Sequence, residues 1–229
     1  KKSYTNTLEQ EWRVRVEPKW GSRELSSISN SEVQEWVAAM SAAGLSASVI
    51  LRAEALLSGL CRQAMKDRLI GADPCDDLEL PKKKRKEHRY LSMTELIRLA
   101  ETSGWRRPIV LVLGLTGMRW GELVGLRVKD VNLERRRLWI RRNVVEVDGE
   151  LVVNTPKSDK WRQVVYPAIL DDDMRSLVDG RKPDDILFEQ PGSGFLRRTH
   201  GPKSSSSWFY WAKKHADIDN ELTVHDLRH

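Results

Sequence analysis

A short run of positive charge interrupts the chain about a third of the way along, at Pro81-Lys82-Lys83-Lys84-Arg85-Lys86-Glu87. The run has no apolar periodicity, so it predicts an exposed linker and not part of a core. The apolar patterns on either side are long enough to form a core each. The sequence therefore predicts a domain over residues 1–80, a linker over 81–91 and a second domain over 92–229.

Charge is distributed unevenly between these parts. The net charge of the chain is +6, yet residues 1–80 carry −2 and residues 81–90 alone carry +5. A solvated tether is the simplest interpretation of the basic run, which also resembles a nuclear-localisation motif. We favour a tether lying along nucleic-acid phosphates, where each cation adds salt-sensitive affinity that is independent of base sequence. The residues assigned to this contact are Lys82, Lys83, Lys84 and Arg85.

Composition excludes several classes of protein. No apolar run is long enough to cross a membrane, and residues 1–12 lack the apolar centre of a signal peptide. Cys61 and Cys75 are too few for a disulfide framework and lack the close spacing of metal ligands, so no metal site is assigned. We therefore expect a protein of the reducing cytoplasm that has no membrane partner.

Helical patterns dominate the first domain. Ser29-x-x-Glu32 is a capping box that precedes apolar residues at helical spacing. A longer amphipathic helix is predicted over residues 46–70, and a further helix over residues 1–12. Together these segments predict a small helical bundle.

The pattern becomes mixed after the linker. Ser92-x-x-Glu95 is a second capping box, and Asp148-Gly149 is a hairpin turn signal between two segments rich in β-branched residues. The fold class is therefore mainly α with a small antiparallel sheet (α+β): an N-terminal helical bundle joined to a mixed α/β domain. The sheet is predicted to have three strands, over 138–147, 151–155 and 163–166, with further helices over 169–178, 205–215 and from 224 onward.

Arg119 lies between a predicted buried helix and a short amphipathic one, with Glu122 one turn later. A surface arginine or a structural ion pair with Glu122 is one interpretation. The other is an anion site, because guanidinium is a planar, permanently charged fork suited to two phosphate oxygens. A carboxylate one turn away can hold that fork in place. The two residues alone leave both interpretations open.

The segment from Thr155 to Val164 connects the predicted second and third strands. A polar hairpin is the simplest interpretation. Lys157, with Arg162 five residues later, also fits a basic hairpin tip, and Lys160 is a weaker candidate. An ammonium at such a tip can reach into a minor groove and protonate a leaving oxygen, which is general-acid chemistry.

His225, Arg228 and His229 share one face of the predicted last helix. Two histidines four residues apart resemble the zinc-protease motif H-E-x-x-H. However, Asp226 replaces the glutamate and the cation Arg228 would stand beside the metal. A structural helix terminus with hydrogen-bonded histidines is the other interpretation that the residues alone leave open.

Three motifs together resemble the tyrosine recombinases of the phage-integrase family. Thr116–Leu126 (T-G-x-R-x-x-E-L-x-x-L) is similar to the first arginine motif of that family, and Thr223–His229 (T-x-H-D-L-R-H) is similar to the second. Between them Lys157 fits the family's β-hairpin lysine, although Pro156 stands where Thr or Ser is usual. With the helical bundle and the basic linker ahead of them, the resemblance covers nearly the whole chain.

The resemblance implies site-specific DNA recombination through a 3′-phosphotyrosyl intermediate, without a cofactor. It implies that Arg119 and Arg228 bind the scissile phosphate and that Glu122 supports the site. It further implies that Lys157 protonates the leaving 5′-oxygen and that His225 assists proton transfer. Asp226 and His229 would belong to the scaffold.

The family's nucleophilic tyrosine follows the second arginine motif, and no tyrosine of this sequence matches it. All four tyrosines precede His225, at Tyr4, Tyr90, Tyr166 and Tyr210. We therefore expect this chain to be a piece of a recombinase that binds DNA without cleaving it. The alternatives are a catalytically inactive DNA-binding regulator derived from a recombinase, or a chromosome-dimer resolvase with the same mechanism.

The resemblance also implies partners. Family members clamp a double-stranded DNA attachment site between two domains and act on it as homo-tetramers, in some cases with a DNA-bending accessory protein. We expect the chain alone to be monomeric. Further DNA contacts are predicted at Lys2, Thr5, Ser46, Ser48, Arg52 and Arg162.

Overall fold

The computed structural model describes most of the chain. The described residues are 2–83, 90–154, 161–190, 192, 194–199, 201, 203–219 and 221–228, with only the backbone described for 2–4. The chain forms two compact units, residues 1–86 and residues 87–229, and each is described by itself.

The described part of the first unit is helical. The helix predicted over residues 1–12 continues beyond Trp12 through a π-helical turn, Trp12–Val16. The helix predicted from residue 46 begins at Ala47, directly after Ser46. The α-helices of this unit are α1 (Lys2–Glu11), α2 (Glu17–Trp20), α3 (Asn30–Ala42) and α4 (Ala47–Lys66).

Local chemistry and apolar packing explain these helices. The capping box at the start of α3 is formed: the Ser29 side chain accepts the Glu32 amide proton, and the Glu32 carboxylate accepts the Ser29 amide proton. The hydrophobic core of this unit contains Ile50 and Leu57 of α4. The Trp20 and Trp36 rings meet edge to face, with centroids 5.8 Å apart.

The second unit combines helices with short antiparallel strands. Its α-helices are α5 (Met93–Glu101), α6 (Arg107–Thr116), α7 (Trp120–Val124), α8 (Asp171–Val178) and α9 (Trp208–His215). Its strands are β1 (Val131–Asn132), β2 (Arg137–Ile140), β3 (Asn143–Val147), β4 (Glu150–Asn154), β5 (Arg162–Val165), β6 (Glu189–Gln190) and β7 (Gly194–Phe195).

The prediction of a single three-stranded sheet was wrong in its pairing. The strand expected over 138–147 is two strands, because the chain leaves the first sheet at Arg141 and Arg142. At that point Arg142 Nη1 donates a 2.7 Å hydrogen bond to Oδ2 of the buried Asp130. As a result β2 pairs with β1 and β5, β3 and β4 form a separate hairpin, and β6 pairs with β7.

The core of the second unit is built around α6. Pro108 lies in the first turn of that helix, where its missing N–H is harmless, and residues 109–113 are all buried. The helix ends at Gly117, which has a left-handed φ of 63°. Leu96 of α5 and Phe209 of α9 belong to the same core.

Two predicted helices are shorter than the patterns indicated. The helix expected from residue 205 begins at Trp208, after the Ser207 side chain accepts the Phe209 amide proton. The helix expected from residue 224 is, over the described residues, a single 3₁₀ turn at Asp226–Arg228. No helix in the described ranges is both long and apolar enough to pass through a bilayer.

Candidate active site

Arg119 occupies a defined position between two helices. The left-handed Gly117 ends α6, and Arg119 is the N-cap residue of α7 with an extended backbone (φ −76°, ψ 150°). The Thr116 hydroxyl donates to the Val112 carbonyl at 2.6 Å and so covers the end of α6. The Arg119 side chain remains 47% exposed, so it can reach a ligand at the surface.

The buried side chain of Glu122 holds this arginine in place. Its side chain is 2% exposed, and its two oxygens accept the Arg119 amide at 2.9 Å and Arg119 Nη1 at 3.1 Å. Burial raises the pKa of Glu122, but the hydrogen bonds from Arg162 and from the Arg119 amide outweigh burial and hold that pKa below its ordinary value. The carboxylate is therefore charged at neutral pH and fixes the guanidinium of Arg119.

Arg162 reaches the same carboxylate from the sheet. The register of β2 and β5 places Arg162 opposite Ile140, at the start of β5. Its Nη1 and Nη2 donate to the two Glu122 oxygens at 2.8 and 2.7 Å, a bidentate pair. Sequence reasoning treated Arg162 as a DNA contact and missed this pairing. The sequence holds no signal for it, because 40 residues separate the partners.

The second arginine motif lies beside the first. The Asp226 carboxylate accepts the amide and hydroxyl protons of Thr223 at 2.8 and 2.6 Å, which shapes the turn. α6 packs against this turn, and a Cβ placed on Gly117 would lie 3.7 Å from the Arg228 carbonyl oxygen. Arg119 is two residues beyond Gly117, so the two motif arginines start from neighbouring backbone positions.

Arg228 has an unusual environment. Its Nε is buried and has no hydrogen-bond partner within the described part of the chain. An unpaired buried donor on a permanent cation is costly, and an anionic oxygen is the acceptor that relieves it best. His225, three residues earlier, is exposed, and its carbonyl accepts the Arg228 amide proton at 3.4 Å.

Lys213 is a site feature that the sequence interpretation did not identify. This lysine on α9 is fully buried, and its Nζ donates to the Leu222 carbonyl at 2.7 Å, just ahead of the second arginine motif. Burial lowers its pKa to about 8, against the opposing effect of Asp219 and Glu221. Apart from its place in an aromatic-rich helix, nothing in the sequence distinguished it from a surface lysine.

The remaining predicted contacts are distributed as follows. Thr5, Ser46, Lys82 and Lys83 are exposed, and Ser48 is half-buried. Arg52 is 51% exposed, but its Nε donates to the buried Glu11 at 3.0 Å, so part of its hydrogen-bonding capacity is used inside the bundle. Outside the described residues lie Lys84, Arg85, Lys157 and His229, together with the side chain of Lys2.

Comparisons with known proteins agree on one family. Residues 86–229 match the model of the phage integrase family. The putative prophage phiRv2 integrase of Mycobacterium tuberculosis H37Rv is 31% identical over 216 residues, covering 90% of this chain and 55% of that protein. The tyrosine recombinase XerD of Staphylococcus saprophyticus is 26% identical over 212 residues, covering 88% of this chain and 67% of that protein. The chain thus spans about half the length of the prophage integrase.

Solved structures show the same fold. The Tn1549 transposon integrase in complex with a circular intermediate DNA superposes with a TM-score of 0.83 at 19% identity, over 100% of this chain and 79% of that one. A lambda integrase dimer bound to a COC′ core site gives a TM-score of 0.69 at 16% identity, over 100% of this chain and 63% of that one.

Proposed function

The chain belongs to the phage integrase family, and from this membership and the site geometry we propose that it is the DNA-binding and phosphate-activating part of a site-specific recombinase. The reaction is cleavage and rejoining of DNA strands at an attachment site, of the phage or prophage integrase type. Relatives whose names are integrase and tyrosine recombinase support the reaction class.

One observation carries the proposal. Gly117, two residues before Arg119, lies beside the Arg228 backbone. Arg119 is held by a buried carboxylate, and Arg228 has a buried Nε that lacks a partner among the described residues. Two permanent cations at one surface position suit a dianionic phosphorane, whose charge is greater than that of the phosphodiester. In a protein that binds no anion, an unpaired Arg228 Nε would contribute nothing to stability.

In the proposed reaction a tyrosine hydroxyl attacks the scissile phosphorus. The new tyrosyl–phosphorus bond forms as the bond to the 5′-oxygen breaks, which conserves the phosphoester for the rejoining step. Arg119 and Arg228 stabilise the charge on the nonbridging oxygens, and Glu122 with Arg162 keeps Arg119 in place. Two guanidiniums thereby replace the metal ion of many phosphoryl transfers, so no cofactor is required.

Proton transfers complete the scheme. Lys157 is proposed to protonate the leaving 5′-oxygen, and His225 to assist the proton of the nucleophile. None of the four tyrosines in the sequence is assigned the nucleophilic role: Tyr166, for example, is 1% exposed in the core. The chain is therefore proposed to bind DNA and prepare the phosphate, without cutting by itself.

The proposed partner is the double-stranded DNA of an attachment site. The first unit and the basic segment at Lys82 and Lys83 would add further contacts to the duplex. The proposed assembly on DNA is a homo-tetramer assisted by a DNA-bending protein, and the isolated chain is proposed to be a monomer. Because host DNA is the proposed substrate, the proposed location is the bacterial cytoplasm.

A substitution that separates catalysis from binding tests the proposal. In the whole natural protein, Arg119→Lys keeps the charge but loses the planar fork. We expect covalent protein–DNA adduct on the attachment site to fall by at least about 100-fold, as for removal of an oxyanion donor, while duplex affinity falls by less than about 10-fold. Adduct is measured on denaturing gels and affinity by mobility shift.

Arg175→Lys is the matched control, because Arg175 is an exposed α8 arginine whose partner is the exposed Asp172. Its adduct yield should equal that of the parent. DNA binding with no adduct in the whole natural protein would favour the inactive DNA-binding regulator. Unchanged adduct in Arg119→Lys would refute the role of Arg119.

A further inference from the structure

Two cysteines that are distant in sequence meet inside the first unit. Cys61 lies on α4, and Cys75 lies on the segment that follows it, 8% exposed against 0% for Cys61. Asp73, 9% exposed, completes the group. One ligand atom from each of the three side chains lies within 4.8 Å of the other two. Cys75 follows Cys61 by 14 positions, so no local motif signals this group.

We propose that Cys61, Asp73 and Cys75 bind one divalent cation of the zinc class. Zinc–thiolate bonds of about 2.3 Å in a tetrahedral site place two sulfurs about 3.8 Å apart, so the observed cluster requires only small movements to close around an ion. This site is independent of the DNA chemistry proposed for the second unit.

The carboxylate of the cluster is already oriented. Asp73 Oδ1 accepts the Cys75 backbone amide at 2.9 Å, and within the described ranges the Asp73 side chain makes no other hydrogen bond. The second carboxylate oxygen is therefore available as a ligand. A hydrogen bond that fixes a ligating carboxylate is the usual outer-shell support of a metal site.

The surrounding charge favours a cation. Glu54 is on α4, two turns before Cys61; burial raises the pKa of Glu54, Arg62 opposes that shift, and Asp73 adds to it. Two thiols and two carboxyl groups thus share one largely buried region. A bound dication would replace the thiol protons and neutralise the thiolates.

The donor set selects the kind of ion. Two thiolates and one carboxylate suit Zn²⁺ or its spectroscopic substitute Co²⁺, whereas Mg²⁺ and Ca²⁺ prefer oxygen ligands alone. The fourth position would be taken by water. The ion would link residues 73–75 to α4. The same segment already accepts hydrogen bonds from Asn30 Nδ2, at the carbonyls of Pro74 (3.2 Å) and Asp76 (2.7 Å).

Cobalt titration of the reduced, metal-free full chain tests this site. Co²⁺ bound by thiolates gives an intense sulfur-to-metal charge-transfer band and tetrahedral visible bands. We expect saturation at one Co²⁺ per chain and displacement of the bands by one equivalent of Zn²⁺. Absence of the charge-transfer band at stoichiometric Co²⁺ would overturn the proposal.

Variants assign the ligands. Cys75→Ala should abolish the charge-transfer band or weaken binding at least 100-fold. Asp73→Asn retains an oxygen for the Cys75 amide, so it should fold like the parent yet bind at least 10-fold more weakly. The exposed neighbour Asp76 supplies the charge-matched control, and Asp76→Asn should bind within twofold of the parent. Parent-like binding by Asp73→Asn would remove Asp73 from the site, and parent-like bands in Cys75→Ala would refute the site itself.

Discussion

The buried carboxylate of Glu122 accepts hydrogen bonds from the Arg119 amide and from the guanidinium groups of Arg119 and Arg162. These contacts join the turn after α6 to strand β5. The residue is thus a positioning residue for Arg119, and the free energy of its contacts depends on its negative charge. Removing that charge without changing the shape of the side chain isolates its effect.

We expect Glu122→Gln to lower the free energy of unfolding by about 2 kcal/mol, because an amide group then faces arginine donors with only one acceptor oxygen. The half-exposed arginines keep the loss below that of a fully buried pair. Urea denaturation of the chain measures it. The exposed Glu134 is the control: Glu134→Gln should change stability by less than about 0.5 kcal/mol.

The effect of Glu122→Gln on the free energy of unfolding should depend on pH. The folded pKa of Glu122 is lowered from 4.5, so its contribution to stability is complete above that value and is lost as pH falls through the lower folded pKa. The stability difference between parent and Glu122→Gln should therefore shrink in acid. A constant difference down to about pH 3 would contradict the charge-based explanation.

Lys213 should make stability depend on pH with the same sign as Glu122, but in an alkaline window. Its pKa falls from 10.5 to about 8 on folding, so the unfolded chain binds more protons between these values and stability rises with pH across that window. From about pH 7.5 to about pH 10 the parent should gain about 2 kcal/mol relative to Lys213→Met. Lys214→Met, at the exposed neighbour, should show no such change, and an equal gain in both variants would refute the assignment.

Among the elements, the contact between α7 and β3 positions the site most tightly. A Cβ on Gly121 would lie 2.4 Å from the Val144 carbonyl oxygen and 2.5 Å from Asn143 Oδ1. The close approach brings the helix that carries Glu122 against the hairpin. Only glycine permits it, since a backbone carbonyl in a paired strand cannot yield as a side chain can.

Gly121→Ala should therefore destabilise the chain by about 2–4 kcal/mol, as expected for overpacking against backbone. Gly114→Ala is the matched comparison, because the three atoms nearest its Cβ would all belong to the Leu96 side chain, the two terminal methyl carbons at 2.6 and 2.7 Å and Cγ at 3.2 Å. Its clash is partly offset by the helix propensity of alanine, so the net loss should stay below about 1 kcal/mol. Thermal denaturation followed by circular dichroism compares the two, and equal losses would contradict the close-approach argument.

At the scale of the whole molecule, the parts of the chain differ in net charge. Residues 1–80 carry −2, so the proposed attraction of the first unit to DNA would have to come from local groups, whereas residues 81–90 carry +5. Phosphate contacts by the basic segment would appear as salt dependence, while a merely solvated tether would contribute none.

We expect Lys82→Gln with Lys83→Gln to reduce the slope of log affinity against log salt concentration by about 2, because each lysine that neutralises a phosphate contributes nearly one to that slope. The measurement is duplex affinity over a range of salt. Lys66→Gln with Lys182→Gln removes two other exposed lysines and serves as the control. The same decrease of slope in the control would show a nonspecific charge effect and not a contact by the basic segment.

Much of the local structure follows from the sequence. The capping boxes at Ser29 and Ser92 form as predicted, and Asp148 and Gly149 adopt the positive φ values, 55° and 79°, of the expected hairpin turn. The end of helix α6 at Gly117 likewise follows from the local sequence. Each depends on hydrogen bonds or backbone conformation within about four residues, and a short stretch of sequence contains all the groups that take part.

Tertiary structure decided the rest. The Glu122–Arg162 pair, the division of the strand at Arg141 and the burial of Lys213 each join segments that are distant in sequence or that have equivalent local patterns. A β-rich segment does not specify its partner strand, and an arginine or lysine does not specify whether its charge meets water or a buried oxygen. The sequence by itself determined the family, the helical caps and the two arginine motifs. Packing alone determined which carboxylate holds Arg119 and which amine is buried, because those outcomes depend on long-range contacts.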